Sequence, residues 1–109
     1  TIRGIVTGTI HGVVEAGGKP KHALQGAVKQ AMYSAKELGL NVGDTAVVAV
    51  KGSVDAVKEI GGNTAETLKD AVMAAFYAAK EIGVETFDAV KGALSEGVKG
   101  AKEIISAAK

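Results

Sequence analysis

The chain has 109 residues, no cysteine, no tryptophan and a net charge of +1 from 13 basic and 12 acidic residues. This length suits one domain, residues 1–109, and the absence of cysteine excludes disulfides and thiolate metal sites. Basic and acidic residues in near balance do not give the basic surface that nucleic-acid binding requires.

The sequence repeats every 22 residues. Five windows of 13 residues align without a gap: IVTGTIHGVVEAG from Ile5, AVKQAMYSAKELG from Ala27, AVKGSVDAVKEIG from Ala49, AVMAAFYAAKEIG from Ala71 and ALSEGVKGAKEII from Ala93. An internal period of this length is typical of stacked helical units. It predicts an all-α fold of five antiparallel helices, as an up-and-down bundle or a short αα-solenoid. Similarities between alternate windows indicate a helical hairpin of about 44 residues as the larger unit.

Helix signals occur in the same order in each repeat. We predict helices over residues 2–16, 20–38, 44–60, 64–82 and 87–107. Pro20 suits a first helical turn, Asp44 and Thr86 suit N-caps, and Asn63 with Glu66 has the spacing of a capping box.

Glycine is the predicted stop signal, because it adopts the left-handed conformation at little cost. Leu40 and Val84 each follow such a glycine and suit the apolar contact of a Schellman-type cap. Ile105 takes the glycine position in the fifth window, so the last helix is expected to run on towards the chain end. The predicted stops are Gly17, Gly39, Gly61 and Gly83.

A helical wheel separates each repeat into an apolar stripe, a stripe of small residues and a charged face. Ala27, Ala49, Ala71 and Ala93 take one position in the stripe of small residues, and we predict that they are buried. The charged face is predicted to be exposed, with the pairs Lys36–Glu37, Lys58–Glu59, Lys80–Glu81 and Lys102–Glu103.

Glycines inside the predicted helices suggest close helix packing. Each costs about 0.8–1 kcal/mol relative to alanine, and close backbone approach would offset that cost. The alternative is that these glycines only weaken the helices. We predict close packing at Gly4, Gly8, Gly12, Gly97 and Gly100.

The windows, together with the segment GTIHGVVEAGG, resemble an uncharacterised set of bacterial proteins made of tandem Ala/Gly/Val-rich helical repeats that end in KEIG-like turns. More loosely, the 22-residue period is similar to that of exchangeable apolipoproteins, and the KEG/VTG texture to that of synucleins and late-embryogenesis proteins. The chain departs from the apolipoproteins because it has no proline between every repeat and few aromatic residues. The first resemblance implies a helical-repeat fold and no catalytic or binding residue.

No residue pattern here predicts catalysis, and we expect neither an enzyme, a cofactor nor a metal site. His11 and His22 have no third ligand at metal-site spacing. The serines have no paired base that would make one of them a nucleophile. No segment reaches the roughly 20 apolar residues of a membrane span. We see no signal peptide and favour a cytoplasmic protein, with a removed targeting segment left open.

The first and fourth predicted helices, 2–16 and 64–82, lack the charged outer face of the others. Tyrosine at the centre of a polar face is unusual, and apolar neighbours accompany it. The interpretation is a contact with another subunit or a partner; the alternative is a helix buried in the middle of the monomer. The candidate interaction residues are Met73, Ala74, Tyr77, Tyr33, His11 and Val14.

The sequence therefore predicts a non-enzymatic helical-repeat scaffold that self-associates as a homo-oligomer or docks on a protein partner. The alternative is an amphipathic coat protein for a lipid or polymer-granule surface. We favour the scaffold over the coat protein, because the polar face mixes Lys with Glu and the apolar face is not rich in Trp and Phe.

Overall fold

A computed structural model describes Gly4, Gly8, Gly12 and residues 20–107. Residues 20–107 form an all-α bundle of five helices without a strand. Gly4, Gly8 and Gly12 have helical backbone, and the rest of the predicted helix 2–16 lies outside the described residues. The helices are α1 (Pro20–Glu37), α2 (Val42–Glu59), α3 (Thr64–Ile82), α4 (Val84–Gly97) and α5 (Ala101–Ala107).

The starts of α2 and α3 have the same geometry. The side chain of Asn41 accepts a hydrogen bond from the Asp44 backbone N–H at 3.0 Å. Asn63, 22 residues later, accepts one from the Glu66 backbone N–H, also at 3.0 Å. Asparagine is a strong N-cap because its side-chain oxygen pairs with a helix N–H that has no partner within the helix. The start at Asn63 is confirmed, whereas Asp44 is not the N-cap of α2: it lies in the first turn, and Asn41 caps the helix.

Gly39 and Gly61 end α1 and α2, as predicted. Their φ angles of +74° and +77° lie in the left-handed region, where an L side chain would be strained. After α1, the Leu40 N–H donates to the Ala35 carbonyl at 2.8 Å and the Gly39 N–H to the Lys36 carbonyl at 3.2 Å. This pair of bonds is the Schellman motif, and the end of α2 has the equivalent pair.

Gly83 alone joins α3 to α4. Its backbone, with φ +154° and ψ +165°, turns the chain at once, and α4 begins at Val84. The predicted start with Thr86 as the N-cap is therefore wrong: Thr86 is already inside the helix and buried. Val84 does not make the predicted apolar cap contact either, because its side chain is exposed.

The predicted helix 87–107 is broken between α4 and α5. Val98 is extended, with φ −124° and ψ +117°, and Gly100 has a φ of +89°. The turn lets α5 pack on α3 and α4, where Val98, Ala101 and Ile105 are buried. Burying these side chains is more favourable than continuing one helix through the fifth repeat. Gly100 consequently lies in a turn and not inside a helix.

The core sits around α3, which contacts each of the other four described helices. The predicted faces are largely confirmed: Ala27, Ala49 and Ala71 are buried, Ala93 is half-buried, and all four Lys–Glu pairs are exposed. The largest fully buried side chains include one to three from each described helix. They are Leu24, Val28, Met32, Val50, Val57, Val72, Val90, Leu94 and Ile105.

Helices α2 and α4 approach each other through small residues. A Cβ added at Gly97 would lie 3.1 Å from Val47 Cγ2, which is closer than ordinary contact. One added at Gly43 would lie 3.1 Å from Ala93 Cβ. A side chain at either position would therefore press on the facing helix, and no sequence pattern had singled out Gly43.

The other predicted close-packing glycines do not show this tight contact. Gly4, Gly8 and Gly12 are exposed, and a Cβ added at Gly8 or Gly12 would meet no described atom within 4 Å. Gly8 and Gly12 face open space, so close packing against the described residues is not supported at these two positions. At Gly100 the nearest atom would be Leu68 Cδ2 at 3.6 Å, an ordinary contact.

Two glycines of α4 allow a direct test of this packing. Gly92 faces open space, so Gly92→Ala should raise the free energy of unfolding by about 0.8–1 kcal/mol through helix propensity. Gly97→Ala should raise the free energy of unfolding by less than this, or lower it, because the new Cβ would press on Val47. Urea denaturation monitored by circular dichroism measures both changes.

Val47→Ala provides the control, because it removes the methyl groups that the new Cβ would meet. In that background Gly97→Ala should become more favourable than in the unmodified chain, giving a coupling energy between the two sites. Additive effects of the two changes would contradict close packing at Gly97.

Candidate interaction surface

A surface groove runs between α1 and α3. It brings together Met73, Ala74 and Tyr77, which lie three and four residues apart on one side of α3, as helical spacing requires. We call it the α1/α3 groove. Its lining residues are Gln25, Lys29, Met73, Ala74, Tyr77, Ala78 and Glu81.

Tyr77 is the large exposed residue of this groove, with 52% of its surface accessible. Its ring meets the edge of Phe76 at a centroid distance of 5.9 Å and an angle of 81°. Phe76 in turn meets Phe87 of α4 at 4.8 Å and 68°. Such edge-to-face contacts are favourable, so a short aromatic chain ties the exposed Tyr77 ring to the core.

Met73 and Ala74 are half-buried, and Ala74 packs against the core. The alternative of a buried middle helix therefore describes part of α3, and the contact with a subunit or partner stays a prediction. This helix is central because it contacts all the other described helices. The side that carries Tyr77 is nevertheless left exposed by them.

Tyr33 lies at one end of the groove and forms a polar cluster with Glu81 and Lys29. The Tyr33 hydroxyl donates a hydrogen bond to Glu81 Oε2 at 2.7 Å. Lys29 Nζ lies 3.7 Å from the same carboxylate oxygen and 5.8 Å from the centroid of the Tyr33 ring. The second distance is within cation–π range. Tyr33 and Tyr77, which the sequence analysis singled out together, thus belong to one surface.

The cluster shifts the pKa values of both of its acids. The hydrogen bond from Tyr33, aided by the charge of Lys29, lowers the pKa of Glu81 below its ordinary value of 4.5. The same hydrogen bond raises the pKa of Tyr33 above 10.0, and desolvation and the Glu81 charge act in the same direction. Since both side chains are accessible to solvent, screening keeps the stabilisation small.

The sign of each shift gives the pH range of the contact. The contribution of ionised Glu81 to the stability of the folded state is present above pH 4.5. It is lost as the pH falls through the lowered pKa of Glu81 in the folded state. The Tyr33 contribution is present below pH 10.0 and is lost as the pH rises through the raised pKa. The cluster is therefore intact across neutral pH.

The remaining candidate residues add no further site. His11 and Val14 lie outside the described residues, and His22 is exposed on α1. The Ser53 hydroxyl is buried and donates to the Ala49 carbonyl at 2.9 Å. Within the described part of the chain, no three His, Cys, Asp or Glu residues are grouped to hold a metal ion, and no helix has the length and apolar character to cross a membrane.

Among the described residues, five large aliphatic side chains outside the groove are exposed and were not predicted as a contact: Leu38, Leu40, Val48, Ile60 and Val84. The sequence pattern predicts helix caps at Leu40 and Val84 and gives no contact role to the other three. The three most exposed, Leu38, Leu40 and Val84, lie next to the helix-ending glycines Gly39 and Gly83.

No protein-family model, curated protein or solved structure matches this chain. The resemblance to tandem Ala/Gly/Val-rich helical repeats therefore stays a prediction.

The polar cluster can be tested by titrating Tyr33 in a Tyr77→Phe background, where it is the only tyrosine. Glu81→Gln should lower the pKa of Tyr33, because a neutral amide no longer accepts its proton as strongly or repels its phenolate. Ultraviolet absorbance of the phenolate measures the change.

Glu96→Gln on the exposed surface of α4 is the matched control and should leave the titration unchanged. No shift with Glu81→Gln, or an equal shift with both variants, would contradict the Tyr33–Glu81 contact.

Proposed function

We propose that this protein is a non-enzymatic helical scaffold that self-associates as a homo-oligomer, or docks on a protein partner, through the α1/α3 groove. The observation that carries the proposal is the exposed Tyr77 beside Met73 and Ala74 on the most central helix of the bundle. An exposed aromatic ring held by the core is pre-organised for contact and loses little conformational freedom on binding.

The composition of the groove supports the proposal. Tyr and Met are enriched in the cores of protein interfaces, and charged residues are found at the rim. Here Met73 and Tyr77 line the groove, whereas Lys29 and Glu81 carry opposite charges at its edge. A surface with both signs of charge is suited to a second copy of itself, because each copy offers a partner for the charges of the other.

The proposed scaffold is one helical-repeat domain, residues 1–109, with the 22-residue repeat as its structural unit and successive helices antiparallel. The matching caps at Asn41 and Asn63 and the matching stops at Gly39 and Gly61 support the repeat. The contact of Tyr33 with Glu81 joins the C-terminal parts of α1 and α3, as expected if α2 runs the opposite way between them.

An amphipathic coat for a lipid or polymer-granule surface is less well supported. Such a coat needs helices whose apolar faces are turned towards the surface. In this chain the apolar stripes of the described helices are buried against one another, and the exposed faces carry the Lys–Glu pairs.

The double change Met73→Glu and Tyr77→Lys tests the groove. It places charges where the proposed contact would exclude water, while the net charge stays unchanged. Because burying these charges is costly, the associated form should dissociate to a particle of smaller mass. Sedimentation at several protein concentrations measures the mass, and circular dichroism should show unchanged helicity.

The matched control is Ala65→Glu with Ser106→Lys, two exposed helical positions outside the groove. This pair should sediment like the unmodified chain. A monomer at high concentration for the unmodified chain would reject self-association. Unfolding of the groove variant would assign Met73 and Tyr77 to the monomer core instead.

A further inference from the structure

The break between α4 and α5 interrupts a helix that the local sequence favours. Residues 93–105 form the fifth window of the sequence repeat, and the break at Val98–Gly100 lies in the middle of that window. The same positions in the windows that begin at Ala27, Ala49 and Ala71 lie inside α1, α2 and α3, where the helix continues. The fifth window therefore has the pattern of an unbroken helix at the point where the helix stops.

Apolar side chains keep helical spacing across the break. Five buried residues of α4, the turn and α5 follow one another at intervals of three or four: Val90, Leu94, Val98, Ala101 and Ile105. On one continuous helix they would lie in a single narrow stripe. The turn has no proline, so the local sequence also permits such a helix.

In a single copy, an unbroken helix would lose the present contacts of α5. This helix packs on α3 and α4 and on no other described helix. A segment that runs straight on from α4 cannot also turn back against α4, so Val98, Ala101 and Ile105 would leave their places. Their side chains are now 6%, 0% and 2% exposed. The turn therefore stabilises the single copy, because it keeps apolar surface out of water.

We propose that the turn at Val98–Gly100 is a hinge at which two copies of this chain exchange α5. In the exchanged pair, α4 and α5 join as one helix, and each α5 packs on α3 and α4 of the other copy. The occupant of this site is defined by the fold, since the site already holds an identical helix. Every contact of α5, including those of its charged residues, is formed again with the same residues. The exchange therefore needs no new complementary surface, and reciprocal exchange gives a closed dimer.

The hinge departs from helical geometry at two residues. Gly100 has a φ of +89°, in the left-handed region, and Val98 is extended. The Ala101 N–H donates to the Val98 carbonyl at 3.2 Å, whereas in an unbroken helix it would donate to Gly97, four residues back. Joining α4 to α5 restores the regular helical hydrogen bonds at this point. Short hinges under strain promote exchange of an element between copies.

Exchange of α5 is independent of the α1/α3 groove. The groove is lined by residues of α1 and α3 and includes none of residues 98–107. An exchanged dimer therefore keeps one open groove in each copy, and the two modes of association can be tested separately.

The change Gly100→Ala tests the hinge. Alanine is strained at a φ of +89° but favours a helix over glycine, so the change destabilises the turn and stabilises the joined helix. A Cβ at this position would lie 3.6 Å from Leu68 Cδ2, an ordinary contact, so the packing of α5 is not disturbed. The association constant for dimer formation, measured by sedimentation equilibrium, should rise at least about tenfold.

The change Lys99→Pro acts in the opposite direction. Proline cannot continue the helix from α4, and it favours an extended conformation at the residue before it. Val98 already has this conformation, with φ −124° and ψ +117°, so the turn of the single copy suits the proline. Added to the Gly100→Ala chain, Lys99→Pro should lower the association constant at least about tenfold. Circular dichroism checks that the single copy remains folded.

The change Gly61→Ala is the matched control. Gly61 also has a left-handed φ, +77°, and open space where its side chain would lie. Alanine there brings the same backbone strain in a connection away from the hinge. It should lower the stability of the fold and leave the association constant unchanged.

Measuring the three changes in the unmodified chain and in the groove variant separates the hinge from the groove. A rise with Gly100→Ala in both backgrounds, cancelled by Lys99→Pro, supports the exchange even if the groove contact fails. An unchanged association constant, an equal rise with Gly61→Ala, or a rise that Lys99→Pro does not cancel overturns the exchange. A smaller mass for the groove variant without any effect of the hinge changes overturns the exchange and supports the proposed function. If the groove variant unfolds, the unmodified chain alone decides by the same criteria.

Discussion

The close packing of small side chains around α3 is the constraint on which the rest of this structure depends. The chain has no tryptophan, two tyrosines and two phenylalanines, so bulky rings cannot fill wide gaps between helices. Four of the six alanines on α3 are fully or almost fully buried, and four helices pack around this one. Short side chains allow backbones to approach, and many small contacts then replace a few large ones. The buried alanines of α3 are Ala71, Ala75, Ala78 and Ala79.

The same arrangement explains why an exposed groove lies on the most central helix. A helix presents its side chains all around its axis, and four neighbours built from small residues still leave one side uncovered. The aromatic chain from Phe87 through Phe76 to Tyr77 crosses from the core to this side. The cluster of Tyr33, Glu81 and Lys29 ties α1 to it. The groove is therefore held in place by the core beneath it.

The connections between helices decide what the ends of the bundle expose. Each is short, and Gly39, Gly61 and Gly83 turn the chain with backbone geometry alone. These turns close without burying an apolar side chain, and Leu38, Leu40 and Val84 beside them remain exposed.

The sequence by itself determined the helices α1 to α3, most of the stops and the buried and exposed faces, because helix periodicity, glycine and asparagine act within a few residues of the chain. It also placed Met73, Ala74 and Tyr77 on one side of a helix. It missed the break at Val98 and the close approach at Gly43, and it overlooked the exposed end at Leu38. These features arise from contacts between residues far apart in the chain: Val98 leaves the helix because burial beside α3 and α4 outweighs one more turn, and Gly43 is required only because α4 lies against it. Local signals fix each helix, whereas only tertiary packing decides which helix lies at the centre, which face stays open and where a helix must stop.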